Sequence, residues 1–83
     1  MDMGMINPGG RKANRLKLLR EIYEEYFKNQ GEPYLMTVNK KEDVEKYLAL
    51  QYLINKKLVT NVKPDYDNYS LVVTADGMDL VEN

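Results

Sequence analysis

The chain has 83 residues, enough for one domain but too few for two, and its 43% hydrophobic and 30% charged residues are typical of a globular protein. It contains no Cys, His or Trp, which excludes disulfide bonds, thiolate and imidazole chemistry, and zinc sites built on these ligands. It also lacks an apolar run of membrane-spanning length and a signal-peptide pattern, so we expect a cytoplasmic protein with no membrane partner.

The formal net charge of -1 is unevenly distributed along the chain. Residues 1–63 contain all 12 basic residues together with 8 of the 13 acidic ones, whereas residues 64–83 contain five acidic residues and no basic residue. Because a phosphate backbone repels carboxylates, the last 20 residues are poorly suited to contact nucleic acid.

The first ten residues have no periodic pattern and end in Pro-Gly-Gly, which predicts a flexible arm over 1–10 and a single domain over 11–83. From Arg11 onward, apolar residues recur at three- and four-residue spacing, which predicts a helix that ends near Gly31. The predicted buried face comprises Leu16, Leu19, Ile22, Tyr23, Tyr26 and Phe27. The β-favouring segment 32–38 predicts a short strand or an extended connector.

Asn39 is a favourable N-cap residue, so a second helix is predicted from Lys40 to Lys57. Its predicted buried face comprises Val44, Tyr47, Leu48, Gln51, Ile54 and Leu58, with Leu50 and Leu53 beside it. Helical spacing of these residues indicates a helix that covers a core on one side.

Two β-rich runs, 58–63 and 69–74, flank a turn-forming segment, 64–68, and predict an antiparallel hairpin. Thr74 is placed to cap a short terminal helix over 75–81. The predicted order is therefore long helix, short strand, helix, hairpin and short helix, which is an α+β layout.

Two segments resemble winged helix-turn-helix proteins. The run "YLALQYLINKKLV" is similar to the end of the recognition helix leading into the wing, and "YSLVVTADGMDLVE" is similar to the return strand of the wing followed by a closing helix. Only "EPYLMTVNK" separates Gly31 from Lys41, so the resemblance is to small bacterial and prophage-encoded winged-helix proteins with a reduced second helix. It implies a DNA-binding module, monomeric or homodimeric, that acts as a regulator or accessory factor of prophage or plasmid type.

The resemblance also implies that the N-terminal end of the second helix enters the major groove of double-stranded DNA. Contacts would come from Asn39, Lys40, Lys41 and Lys46, with Arg11, Lys12, Arg15 and Lys17 on nearby phosphates. Glu42, Asp43 and Glu45 lie among these lysines and oppose phosphate binding. A charge-mixed, solvated helix face is therefore the alternative interpretation of this segment.

The predicted wing is acidic, where a DNA-contacting wing usually carries Arg or Lys. A second hypothesis is therefore a protein–protein adaptor that presents an acidic wing to a basic partner. Its contact residues would be Asp65, Tyr66, Asp67 and Asp79. Tyr66 lies in the predicted turn and has no predicted place in the core, whereas Tyr23, Tyr26, Tyr47 and Tyr52 lie on or beside apolar stripes.

Patterns typical of enzymes and metal sites are absent from the sequence. The acids in "DYDNYSLVVTAD" are spaced somewhat like calcium ligands, but Ser70 stands where the sharp turn needs Gly and the final Glu is missing. Gly9 and Gly10 follow no predicted strand, so a phosphate-binding loop is not indicated. We therefore predict a non-enzymatic protein with no catalytic residue, metal or cofactor.

Overall fold

A computed structural model of the protein describes residues 8–83. The elements are α1 (Pro8–Lys28), β1 (Tyr34–Thr37), α2 (Val44–Asn55), β2 (Val59–Asn61), β3 (Asn68–Val73) and α3 (Ala75–Glu82). The strands form one antiparallel sheet in the order β1-β3-β2. The predicted α+β class, the order of the elements and the hairpin are therefore confirmed.

Strand β3 lies at the centre of the sheet and pairs with both other strands. Leu71 lies opposite Tyr34 of β1 and also opposite Asn61 of β2. Residues of β3 alternate between a buried face and an outward face, as expected for a sheet covered on one side only. The core consists of Leu18, Leu19, Ile22, Met36, Val38, Ala49, Leu50, Leu53, Val59, Tyr69, Leu71 and Val73.

Helix α1 begins earlier than predicted, because Pro8–Gly10 are helical and proline is favoured in the first position of a helix. The rest of the predicted arm, residues 1–7, lies outside the described residues. Leu19 and Ile22 are fully buried as predicted, but Leu16 and Phe27 are 37% and 52% exposed. Tyr23 and Tyr26 are partly buried against the core, and Leu18, which was not predicted, is buried, so the buried face is shifted from the predicted one.

Both long helices end in a Schellman motif with a residue other than glycine in the left-handed position. After α1, Gly31 N donates to Tyr26 O and Gln30 N to Phe27 O, while Gln30 has φ 59°. After α2, Leu58 N donates to Leu53 O, and Lys57 has φ 61°. Gly31 was predicted to end α1, but the left-handed residue that closes the motif is Gln30.

Replacing Gln30 with glycine should therefore stabilise the protein. Glycine adopts positive φ without the steric cost that a Cβ carries, so Gln30→Gly should raise the free energy of unfolding by about 0.5–1 kcal/mol. The measurement is urea denaturation followed by circular dichroism. Gln51→Gly, within α2, is the control and should lower stability instead. A loss of stability in Gln30→Gly would contradict the interpretation.

Helix α2 is shorter than predicted and buries a different face. Asn39 Oδ1 accepts hydrogen bonds from Lys41 N and Glu42 N, so it caps a separate turn, and α2 begins only at Val44. The break lies at Asp43, whose φ of -130° and ψ of 62° are not helical. The prediction that α2 starts at Lys40 was therefore wrong.

The buried residues of α2 are Ala49, Leu50 and Leu53, whereas Leu48 is 54% exposed and Val44 is 47% exposed. The buried face is displaced from the predicted one: Leu50 and Leu53, predicted at its margin, are its centre, and Ala49 was not predicted. Three residues of the predicted face, Tyr47, Ile54 and Leu58, are partly buried and pack against the core.

Thr74 joins the end of α2 to the start of α3. Its hydroxyl accepts a hydrogen bond from Gly77 N at 3.1 Å, which is the predicted N-cap, and donates to Lys57 O at 2.7 Å. Its backbone N–H donates to Leu58 O at 3.0 Å. One residue thus bonds to the segment that follows α2 and to the first turn of α3.

We expect Thr74→Ala to destabilise the protein by about 1–2 kcal/mol, because it removes the cap and leaves Lys57 O without its hydroxyl donor. Thr74→Ser keeps the hydroxyl and should lose less than about 0.5 kcal/mol. Thermal and urea denaturation of both variants measure the difference. Equal losses in the two variants would show that the hydroxyl is not the stabilising group.

Two tyrosine hydroxyls connect the elements around α1. Tyr34 OH of β1 donates to Glu21 Oε2 at 2.7 Å, and Tyr23 OH donates to Glu82 Oε2 of α3, also at 2.7 Å. Because the carboxylate holds the phenol proton, and because burial and negative charge act in the same direction, the pKa of Tyr34 rises to about 12. The pKa of Tyr23 is raised for the same reasons.

The raised pKa of Tyr34 predicts a loss of stability at alkaline pH. Between pH 10 and about 12, the folded state keeps the phenol proton and the unfolded state releases it, so the free energy of unfolding falls as pH rises. Tyr34→Phe has no phenol proton to release, so it lacks the stability that this proton provides below pH 10. The stability difference between wild type and Tyr34→Phe should therefore be largest below pH 10 and shrink towards pH 12. A difference that stays constant over this range in urea denaturation would contradict the assignment.

Candidate nucleic-acid interface

The N-terminal half of α1 lies beside the first turns of α2. Arg11 Nε donates to Glu45 Oε1 at 3.2 Å, and Arg11 Nη2 donates to Glu45 Oε2 at 3.1 Å. This two-bond geometry joins residues that are 34 positions apart in sequence. Arg11 was predicted to bind a phosphate, but its guanidinium is already paired with a carboxylate on the neighbouring helix.

Arg15 is the second predicted phosphate ligand that contacts α2. Its guanidinium carbon lies 4.0 Å from the centre of the Tyr52 ring, in a cation–π arrangement. The ammonium of Lys56 approaches the same ring at 5.9 Å. Arg15 and Lys56 therefore bring two basic side chains to the Tyr52 ring.

Two of the predicted lysines line one groove. Lys17 of α1 and Lys46 of α2 line the same groove, with Asn14, Glu21 and Asp43. Within residues 8–83, the single ion pair is Arg11–Glu45. The predicted lysines that form no ion pair there are Lys12, Lys17, Lys40, Lys41 and Lys46. Their ammonium groups are available to an anionic ligand.

The turn before α2 carries the other predicted contacts. Lys40 and Lys41 are exposed, but they lie on this turn and not on the helix. Asn39, which the resemblance assigns to the DNA-contacting set, uses its Oδ1 for the turn and donates from Nδ2 to Asp67 Oδ2 at 3.3 Å. The tip of the hairpin is therefore in contact with this turn, and it brings a carboxylate to the lysines.

The outer side of α2 is apolar, which sequence reasoning missed. Val44, Leu48 and Tyr52 follow one another at four-residue spacing and are 47%, 54% and 39% exposed. Their spacing is visible in the sequence, but it was assigned to the core. Val44 and Leu48 carry no hydrogen-bonding side-chain group, so these two residues can make only apolar contacts with base edges.

The residues proposed for the acidic wing occupy two separate places. The hairpin tip is a tight turn closed by Asn68 N donating to Asp65 O at 2.9 Å, in which Tyr66 is 98% exposed and has φ 53°. Asp79 lies on α3, which follows the opposite end of β3. Asp79 therefore lies on a different element from the hairpin tip, and all of β3 stands between them in the chain.

No family model, curated protein or solved structure matched the chain in comparisons with known proteins. Across residues 8–83, no helix combines the length and apolar composition that crossing a lipid bilayer requires. The same part of the chain contains no group of three or more metal-ligating side chains arranged to hold a metal ion. The function is therefore inferred from the surface described above.

Proposed function

We propose that this protein is a non-enzymatic winged-helix module that binds double-stranded DNA, and that it serves as a transcriptional regulator or an accessory factor. The proposal is carried by five predicted lysines that form no ion pair within residues 8–83, located in α1, the turn before α2 and the first turn of α2. Two of them, Lys17 and Lys46, line one groove. The element order supports the winged-helix interpretation, with the β2–β3 hairpin as the wing.

The surface favours contacts to phosphates over contacts to bases. Lysine ammonium groups bind phosphates as point charges and carry little sequence information. Asn39 has a side chain suited to reading adenine, but its amide is engaged with the turn and with Asp67. We therefore expect binding that depends strongly on salt and weakly on base sequence.

The test is a fluorescence-anisotropy titration with mixed-sequence duplex DNA at several salt concentrations. Five lysine–phosphate contacts predict that the logarithm of the binding constant falls with the logarithm of salt concentration with a slope of about -4 to -5. The variant Lys40→Ala with Lys41→Ala should reduce the steepness of that slope by about 2.

The matched control removes two lysine charges at positions outside the proposed interface. Lys28 ends α1 and Lys63 follows β2, so Lys28→Ala with Lys63→Ala changes the net charge equally but leaves the proposed interface intact. Its salt slope should stay within about 0.5 of wild type. Absence of binding at low salt, or equal effects of the two double variants, would disprove the proposal.

A second candidate function, binding of a basic protein partner by the hairpin tip, is favoured by Tyr66. An aromatic side chain that is 98% exposed on a left-handed backbone is costly for the isolated domain, and tyrosine is enriched at binding hot spots. Asp65 and Asp67 flank it. Under this hypothesis, Tyr66→Ala abolishes capture of the partner from a lysate of the native host.

Charge reversal at the tip separates the two functions. Asp65→Lys with Asp67→Lys should strengthen DNA binding if the tip only repels phosphates, because two repulsive charges become attractive. The same variant should lose a basic protein partner if the tip is the interface. DNA affinity and partner capture are measured on the same protein preparation.

A further inference from the structure

The outer side of α2 carries an apolar stripe that the core does not use. The α2 stripe consists of Val44, Leu48 and Tyr52, all of which are exposed and none of which packs against the core within residues 8–83. Their four-residue spacing extends the stripe over about 12 Å, a little more than two helical turns. Apolar side chains aligned in this way along a helix are a common basis for the recognition of a second helix.

A groove with a volume of about 230 Å³ lies between the α2 stripe and the N-terminal half of α1. On the α2 side, its apolar lining comes from Leu48, Ala49 and Tyr52. On the α1 side, its lining is polar and basic and comes from Arg11, Asn14 and Arg15. A ligand that fits this groove therefore needs apolar groups on one side and acidic groups on the other.

The charges around the groove are basic because its acidic residue is already paired. Glu45 is the one carboxylate in the lining, and both of its oxygens accept hydrogen bonds from Arg11. The guanidinium of Arg15 lies over the Tyr52 ring and the ammonium of Lys56 lies near the same ring. Within residues 8–83, neither Arg15 nor Lys56 forms an ion pair. Two uncompensated positive charges thus lie at the Tyr52 end of the stripe.

We propose that the α2 stripe and the adjoining groove bind an amphipathic, acidic helix of a partner protein. The apolar side chains of that helix, spaced three and four residues apart, cover the stripe, and its carboxylates bind Arg15 and Lys56. A phosphate backbone would satisfy the two positive charges but would leave the stripe uncovered, whereas an acidic amphipathic helix does both. The proposal does not depend on DNA binding, since none of the five lysines proposed for DNA lines this groove.

Selection from a phage-displayed library of helical peptides tests the proposal on the full chain. Every peptide carries leucines at spacings of three and four residues and either Glu or Lys at each remaining position, so all peptides share one apolar face and differ in charge. We expect the selected peptides to be rich in Glu and to bind with a dissociation constant of about 10–100 μM. Enrichment of Lys, or no enrichment at all, would contradict the proposal.

A neutral substitution in the stripe locates the binding site. Leu48→Ala should weaken binding of a selected acidic peptide by about five- to tenfold in fluorescence-anisotropy titrations, because it removes apolar contact from the centre of the interface. Leu35→Ala is the matched control, since Leu35 is another exposed leucine but lies on β1, and it should change the affinity by less than about twofold. Circular dichroism verifies that both variants are folded.

A pair of charge-neutralising variants tests the electrostatic part. Arg15→Gln with Lys56→Gln should weaken binding of the same peptide by about tenfold at low salt and reduce its salt dependence. Lys28→Gln with Lys63→Gln removes the same number of charges away from the groove and should weaken binding by less than about twofold.

Three results of these titrations would overturn the proposal. The first is an equal effect of Leu48→Ala and Leu35→Ala, and the second is an equal effect of the two double variants. The third is a Leu48→Ala protein that binds the peptide like wild type but binds mixed-sequence duplex DNA more weakly, because the α2 stripe would then belong to a DNA-binding surface.

Discussion

Gly77→Ala should destabilise the protein by about 2–3 kcal/mol, although alanine is normally the better helix former. Gly77 is buried in the first turn of α3, where a Cβ would overlap the carbonyl oxygen of Leu58 and lie 2.8 Å from Val73 Cγ2. Leu58 O cannot move freely, because it accepts the backbone hydrogen bond of Thr74. The substitution therefore requires a shift of α3 away from Leu58 and Val73.

Urea denaturation of Gly77→Ala measures this cost, with Gly9→Ala as the control. Gly9 is an exposed helical residue in α1, where alanine should be neutral or stabilising by up to about 1 kcal/mol. Opposite signs for the two variants would establish that Gly77 is required for close packing. If both variants gain stability, α3 does not sit against Leu58 as described.

Leu50→Ala should lower the free energy of unfolding by about 3–4 kcal/mol, and Leu48→Ala by less than about 0.5 kcal/mol. The two leucines are two positions apart in α2, but Leu50 is 0% exposed and Leu48 is 54% exposed. Truncating Leu50 leaves a cavity in the core. Truncating Leu48 removes side-chain atoms that are already largely exposed to water in the folded protein. The helix-propensity change is the same in both variants, so it cancels in the comparison.

A loss of this size is a large fraction of the total stability of a small domain, which is typically about 5–10 kcal/mol. Leu50→Met conserves most of the side-chain volume, so it should lower the free energy of unfolding by less than about 1.5 kcal/mol. This variant still allows a measurement if Leu50→Ala does not fold. Similar losses at positions 48 and 50 would mean that α2 is rotated relative to the described structure.

Local signals in the sequence located the elements well. The strand at "EPYLMTV", the hairpin around "PDYDN" and the Thr74 cap all depend on interactions within a few residues, and all three are present. The face that α2 buries was not predictable in the same way. Val44, Leu48, Leu50 and Leu53 are all apolar, and which of them are buried depends on how α2 packs against α1 and the sheet, which are distant in sequence.

The candidate site also combines residues that the sequence identified with contacts that it did not predict. Its lysines were identified from composition and from the resemblance, and the structure places Lys17 and Lys46 at one groove. The pairing of Arg11 with Glu45 and the contact between Arg15 and Tyr52 could not be predicted, because each links two helices more than 30 residues apart in sequence. The same is true of the contact between Asn39 and Asp67, which brings the hairpin tip to the basic turn.

The strand order β1-β3-β2 also constrains when the sheet can form during synthesis. Strands β1 and β2 are made first, but neither pairs with the other, and both find their hydrogen-bond partners only in Asn68–Val73. Until β3 has left the ribosome, the nascent chain holds two unpaired strand segments beside α1 and α2. A chaperone that binds exposed β-segments can therefore bind the nascent chain before residue 73 emerges. We expect chains truncated ahead of Asn68 to aggregate, because their strand segments stay unpaired.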